Sequence, residues 1–254
     1  MGLAGRPYTK WYRVWERTTI ADFYQEMVII PILIVIILVN MWGASANKRR
    51  AKQWAKTNLP LLQSEYASVG LGGRANTDAV PEDFYKEQSK SEYLSYATGR
   101  QNVAYLDIKL SLHKRYNPIV WFGETVLGFF FDSMPAPVER LEATAYTFDG
   151  KEKAVVPMQS QGASSGNKDS AYDGFVFAIV HKDKMKELRN DRYDVSLTST
   201  KDHPKLPQWA TVMSEASEIT EAMLTPELVK AVTDAGEDLE ALIITDQPID
   251  APKK

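Results

Sequence analysis

Met27-Val28-Ile29-Ile30-Pro31-Ile32-Leu33-Ile34-Val35-Ile36-Ile37-Leu38-Val39-Asn40-Met41-Trp42 contains no charged side chain, and the charge-free stretch runs on through residue 47. About 20 residues rising ~1.5 Å each match the ~30 Å hydrocarbon layer of a bilayer. A backbone in hydrocarbon must satisfy its own hydrogen bonds, so the stretch predicts a transmembrane helix over 27–47. Pro31 lies near its start, where a missing N–H matters least. Asn40, Trp42 and Gly43 mark an exit toward the interface. A buried strand is the simplest alternative, but strands rarely exceed ~10 residues. A cleaved signal peptide is the other, since Ala44-Ser45-Ala46 mimics a small-x-small site. The segment before the run carries Glu16, Asp22 and Glu26, which favours a permanent anchor.

Outward from this segment the charges are lopsided. Lys48, Arg49, Arg50, Lys52 and Lys56 follow it with no intervening acid, whereas Arg6, Lys10, Arg13 and Arg17 are spread out before it. The positive-inside rule then places everything after the span in the cytosol and the N-terminus in the lumen. Residues 1–26 are expected to be a short lumenal amphipathic segment, with Trp11, Tyr12, Trp15, Phe23 and Tyr24 among its charges. Residues 211–250 hold ten acids against Lys230 alone. The net charge of -3 thus sums a basic membrane end and an acidic distal end. The mean hydropathy of -0.31 likewise averages one apolar span with a polar remainder.

Residues 48–254 read as one cytosolic α+β domain. A helical pattern over 51–66 is interrupted at Pro60, which should kink or restart it. Residues 71–83 read as a loop, and 103–113 alternate as a half-buried strand with Ala104, Leu106, Ile108, Leu110 and Leu112 on one face. Further strands are expected at 138–148, 174–180, 193–200 and 239–245, with a charged helix at 182–190. Thr225-Pro226 has the look of a helix N-cap and first position, and Gly236 of its stop. The apolar run 118–131 includes Trp121, Phe122, Phe129, Phe130 and Phe131. It is too short to cross a bilayer upright, so it is either a core helix or a surface that meets membrane or a membrane-bound partner.

Chemistry is hard to find. Cysteine is absent, which removes disulfides, thiol nucleophiles and cysteine-built metal centres. The three histidines, His113, His181 and His203, are scattered at strand ends or in a loop. Gly162-Ala163-Ser164-Ser165-Gly166 matches the nucleophile-elbow pattern but lacks the strand and helix that pattern requires. Gly70-Leu71-Gly72-Gly73 has no following Lys-Ser/Thr, and no EF-hand loop occurs in the acidic tail. The chain is expected not to be an enzyme and to need no cofactor.

Several ordered segments carry a resemblance. The run Leu206-Pro207-Gln208-Trp209-Ala210-Thr211-Val212-Met213-Ser214-Glu215-Ala216-Ser217-Glu218-Ile219-Thr220-Glu221-Ala222-Met223-Leu224 resembles the late cytosolic segment of the coiled-coil domain-containing protein 47 family. The span followed by the basic, Trp-containing helix and Ala67-Ser68-Val69-Gly70 is similar to that family's membrane exit. The strand at 173–180 with its charged helix, and Ile243-Ile244-Thr245-Asp246-Gln247, extend the likeness over roughly 25–250. The resemblance implies a single-pass protein of the endoplasmic reticulum membrane with a cytosolic α/β domain. It further implies a scaffold or intramembrane chaperone subunit that pairs with the small membrane protein Asterix in the PAT complex. That complex shields nascent multipass membrane proteins beside the Sec61 translocon and the ribosome. The family's acidic lumenal region and C-terminal coiled coil have no counterpart here, so neither calcium binding nor ribosome contact through that coil is carried over. On this reading Ile32, Ile36, Val39, Trp121, Phe122, Phe129, Phe130 and Phe131 contact membrane lipids, clients or partners. Lys48, Arg49, Arg50, Lys52 and Lys56 face head groups or the ribosome.

Overall fold

The computed structural model describes residues 23–71, 83–131, 137–148, 175–247 and 249. Most of the N-terminal segment, nearly all of the 71–83 loop and the whole Gly162–Gly166 motif lie outside them. The fold is α+β: one long apolar N-terminal helix followed by helices mixed with antiparallel sheets. The chain divides into two compact units, residues 1–148 and 149–254.

In the first unit a single helix, α1, runs from Tyr24 to Glu65 over 42 residues. At ~1.5 Å per residue it is about 60 Å long, twice the thickness of a bilayer core. The expected span and the expected basic helix are therefore one element. Because α1 begins at Tyr24, Pro31 falls more than a turn inside it, and the helix also continues through Pro60 instead of restarting there. Leu62 and its neighbours past Pro60 hold the last turn, where the Tyr66 amide donates to the Leu62 carbonyl. The apolar span is exposed all round. From Gly43 onward the helix becomes one-sided, burying Gly43, Asn47, Ala51, Ala55 and Leu59 at a strict four-residue spacing.

That ridge packs on an antiparallel sheet. Its strands are β1 (Ser68–Val69), β2 (Tyr85–Glu87), β3 (Glu92–Thr98), β4 (Val103–Ser111) and β5 (Arg140–Thr147), in the order β1-β3-β4-β5 with β2 also on β3. Ala55 and Leu59 share a core with Val69, Phe84, Ala97, Leu106 and Ile108, and Ala51 meets Tyr93 and Leu110. Trp54 stacks on Phe84 at 5.3 Å. The alternation predicted for β4 holds: Leu106, Ile108 and Leu110 are buried. Strand β3, which was not expected, alternates as well, burying Tyr93, Ser95 and Ala97.

Between β4 and β5 lies α2 (Pro118–Phe130). Asn117 caps it by accepting from the Val120 amide, and Pro118 occupies the first helical position. No residue of α2 is buried, which overturns the core-helix alternative.

The second unit is built on β6 (Val176–His181), whose first five residues are buried. It is followed by a 3-10 turn (Lys182–Lys184) and the helices α3 (Met185–Asp191) and α4 (Tyr193–Ser196). Then come β7 (Ser199–Lys201), β8 (Ala210–Ser214), α5 (Ser217–Met223), α6 (Pro226–Ala235) and β9 (Ala241–Thr245). The sheet order is β7-β8-β6-β9, all antiparallel. Phe177 and Ile179 face one core with Val212, Leu224 and Val232, while Ala178 and Val180 face another with Val195 and Met213. Cover on both faces explains why β6 reads as a continuous apolar run. Thr225 caps α6 by accepting from the Leu228 amide, and Gly236 ends it at a φ of 70°.

One expected strand is wrong. Residues 193–200 form α4, a turn and only a short β7. Tyr193, Val195 and Leu197 alternate like a strand, yet Val195 is buried and Leu197 exposed. A bidentate pair from Arg192 to the fully buried Asp194, at 3.1 and 2.7 Å, holds the chain in a helical turn.

Candidate membrane-facing site

The site is assembled where α1 leaves its apolar run. Asn40 donates through Nδ2 to the Tyr116 carbonyl at 3.1 Å and accepts from Lys90 Nζ at 2.6 Å. One turn on, Gly43 lies against the backbone of Arg115 and Tyr116. One further turn on, the fully buried Asn47 donates to the carbonyls of Lys90 and His113, both at 2.9 Å, and accepts from Arg115 at 3.1 Å. Glu139 closes the group by accepting from Arg115 at 2.6 Å and from Arg50 at 2.7 Å. Asn40, Gly43 and Asn47 on one helix face thus hold the turn before β3 and the loop after β4, and Arg50 with Arg115 adds the lead into β5.

The joint matters because it sits where the apolar run of α1, long enough to cross a membrane, ends. A helix leaving a bilayer is otherwise free to pivot relative to the domain it carries. Here, hydrogen bonds to backbone and a charged pair fix the pivot, and the ridge from Ala51 to Leu59 extends the contact with apolar packing. Burial alone would raise the Glu139 carboxyl, but the Arg115 hydrogen bond and the charges of Arg115 and Arg50 outweigh it and hold it below the ordinary range. A depressed carboxyl contributes stability that is fully present above its unfolded value. That stability is lost as pH falls through the lower folded value. We expect protection against hydrogen exchange, taken relative to the intrinsic rate at each pH, to fall in residues 138–140 and 112–117 as the pH drops below about 4. Glu139→Gln should abolish most of that pH response; an unchanged profile would remove Glu139 from the joint.

The residues expected to face lipid or partners divide into two groups. Ile32 and Ile36 are exposed on α1 and Val39 is partly so. Trp121, Phe122, Phe129, Phe130 and Phe131 are exposed on or just after α2, with Phe129 at 84%. Lys48, Arg49, Arg50, Lys52 and Lys56 all lie exposed along α1. Arg50 among them is engaged with Glu139, so its role includes the joint itself. Lys114 pairs with Glu124 of α2, and that hydrogen bond raises its pKa.

Sequence reasoning missed Asn47, Arg115 and Glu139 and took Asn40 and Gly43 only as an exit mark. The available signal was the placement of Asn40, Gly43 and Asn47 on one helical stripe at the edge of an apolar run. Among the described residues no group of three or more His, Asp or Glu side chains is placed to hold a metal ion.

Comparison with known proteins finds a family and relatives for the chain. The family model described as PAT complex subunit CCDC47 matches residues 22–254. An endoplasmic reticulum membrane protein of Schizosaccharomyces pombe is 29% identical over 232 residues, covering 89% of this chain and 55% of its own length. A second from Saccharomyces cerevisiae is 24% identical over 242 residues, covering 94% and 59% respectively. The PAT complex subunit CCDC47 of Homo sapiens is 23% identical over 239 residues, covering 92% of this chain and 42% of its own. The chain spans about half the length of the curated relatives it matches. With a family match that takes in every described residue, the chain belongs to the PAT complex subunit CCDC47 family.

Proposed function

We infer that the chain is a non-enzymatic subunit of the endoplasmic reticulum membrane that supports insertion and folding of multipass membrane proteins. In this reading residues 27–47 span the bilayer, residues 1–26 are lumenal and 48–254 are cytosolic. The basic residues Lys48, Arg49, Arg50, Lys52 and Lys56 lie at the cytosolic head groups or the ribosome. The observation that carries the reading is the polar joint. It couples an exposed apolar span to a folded sheet unit, as a scaffold must if a membrane surface is to keep a set orientation toward a translocon. Family membership and the relatives' names support the setting. The partners proposed are an Asterix-like small membrane protein, the Sec61 translocon, the ribosome and nascent multipass chains.

Affinity purification from detergent extracts that preserve translocons tests this. Asterix-like and Sec61 proteins are expected to co-purify, and more strongly when ribosomes carry multipass nascent chains. Intact translocons recovered from the same extract without this chain would sink the assignment. Labelling with a serine-reactive probe, with Ser164→Ala as control, addresses catalysis; specific labelling of Ser164 would replace the scaffold reading by a hydrolase.

A further inference from the structure

We propose that α2 lies in the plane of the membrane, with its apolar face sunk into the leaflet that borders the first unit, as a second anchor beside the span. The proposal rests on the anchored reading of α1 and adds a lipid contact that family membership does not assign. Four observations converge on lipid as the occupant.

The first is the helix surface. Ile119, Phe122, Val126, Phe129 and Phe130 fall within about a 100° arc. Ile119, Phe122, Phe129 and Phe130 are each at least 70% exposed. Of the polar side chains Glu124 lies on the opposite arc and Thr125 on the flank, and both are already satisfied: Glu124 pairs with Lys114, and Thr125 donates to the Trp121 carbonyl at 2.8 Å. The second is level. The Tyr116 carbonyl accepts from Asn40, the first polar residue after the apolar run, and Pro118 begins α2 two residues later. The helix therefore starts at the depth where α1 leaves hydrocarbon. The third is length: 13 residues give about 20 Å, too short to cross but long enough to lie along an interface. The fourth is the rim. Trp42 and Trp121 are both exposed, as interfacial tryptophans are, and the Lys90 ammonium bonds Asn40 and lies over the Tyr116 ring at 5.6 Å.

The sequence lacks cysteine, so single labels can be introduced without background. The full chain would be reconstituted into vesicles of phosphatidylcholine and phosphatidylserine. Nitroxides at Phe122→Cys, Phe129→Cys, Thr125→Cys, Leu38→Cys and Lys230→Cys would then be probed with oxygen and a polar nickel chelate. Positions 122 and 129 are expected to favour oxygen as position 38 does, with 125 shifted toward the chelate and 230 fully aqueous. An aqueous signature at 122 and 129 would overturn the proposal, because α2 would then be free in water. Shielding of both from both reagents would also overturn it, because protein and not lipid would cover the face. The vesicles hold no translocon, so a failed partner assignment leaves this result untouched. An aqueous signature at position 38 would instead sink the anchored reading itself.

Discussion

Gly43→Val is expected to undock α1 from the first unit, and Gly43→Ala to do so in part. A Cβ at this position would stand 2.5 Å from the Tyr116 nitrogen and closer still to the Arg115 carbonyl. All of these are backbone atoms, so no side chain can swing aside to relieve the clash. Forcing extra volume into such a contact costs about 1–3 kcal/mol, with the branched Val at the upper end. The loss propagates, because the same loop supplies the Tyr116 carbonyl to Asn40 and the His113 carbonyl to Asn47. The expected signature is accelerated hydrogen exchange and proteolysis across residues 112–117, with the strands of the second unit unaffected. Gly123→Ala on α2 is the control. A Cβ there meets nothing within 4 Å, and replacing helical Gly by Ala gains roughly 0.5–1 kcal/mol. Equal protection in Gly43→Val and the parent protein would show that the close approach does not set the joint.

The sequence made some of this visible and hid the rest for physical reasons. The long apolar helix declared itself because so long a charge-free run has few other readings. Strands β4, β6 and β9 declared themselves through alternation or continuous burial. The helix α6 did so through its Thr225 cap and Gly236 stop. Strand β3 stayed hidden because Glu92 and Thr98 and the partly polar faces of its tyrosines diluted a true alternation. The 193–200 segment misled because one ion pair, Arg192 to Asp194, outweighs the local strand pattern. The 118–131 run was ambiguous in kind. Apolarity fixes that a face seeks cover but not whether the chain's own core supplies it, and only the observed exposure rules the core out. The joint was hardest to see. Its members come from positions as far apart as 40 and 139, and pairing at that separation leaves no periodic trace.

Asn47→Asp is expected to weaken the first unit more than its shape suggests. The amide nitrogen of Asn47 donates to two carbonyls, and its oxygen accepts from Arg115. Replacing that nitrogen by a carboxylate oxygen keeps the volume and turns both donations into oxygen–oxygen repulsions. The Lys90 carbonyl then loses this donor in a site where Asn47 itself is wholly buried. Burying a carboxylate at this wholly buried position and losing two part-buried donations costs about 2–5 kcal/mol, and proximity to Arg115 recovers part of it, so a net loss of about 2–4 kcal/mol is expected. Asn47→Ala should cost somewhat less, since it removes donors without adding repulsion. Arg50→Ala should cost about 0–1 kcal/mol, because its pair with Glu139 is half exposed and Arg115 remains to hold the carboxylate. The measurement is hydrogen exchange of β3 and β4 amides in the full chain in micelles, which isolates this unit from the other. The order Asp, then Ala, then Arg50→Ala would place the joint's strength in donation from Asn47. If Arg50→Ala proved the most damaging, the charged pair and not the buried amide would hold the span to the sheet.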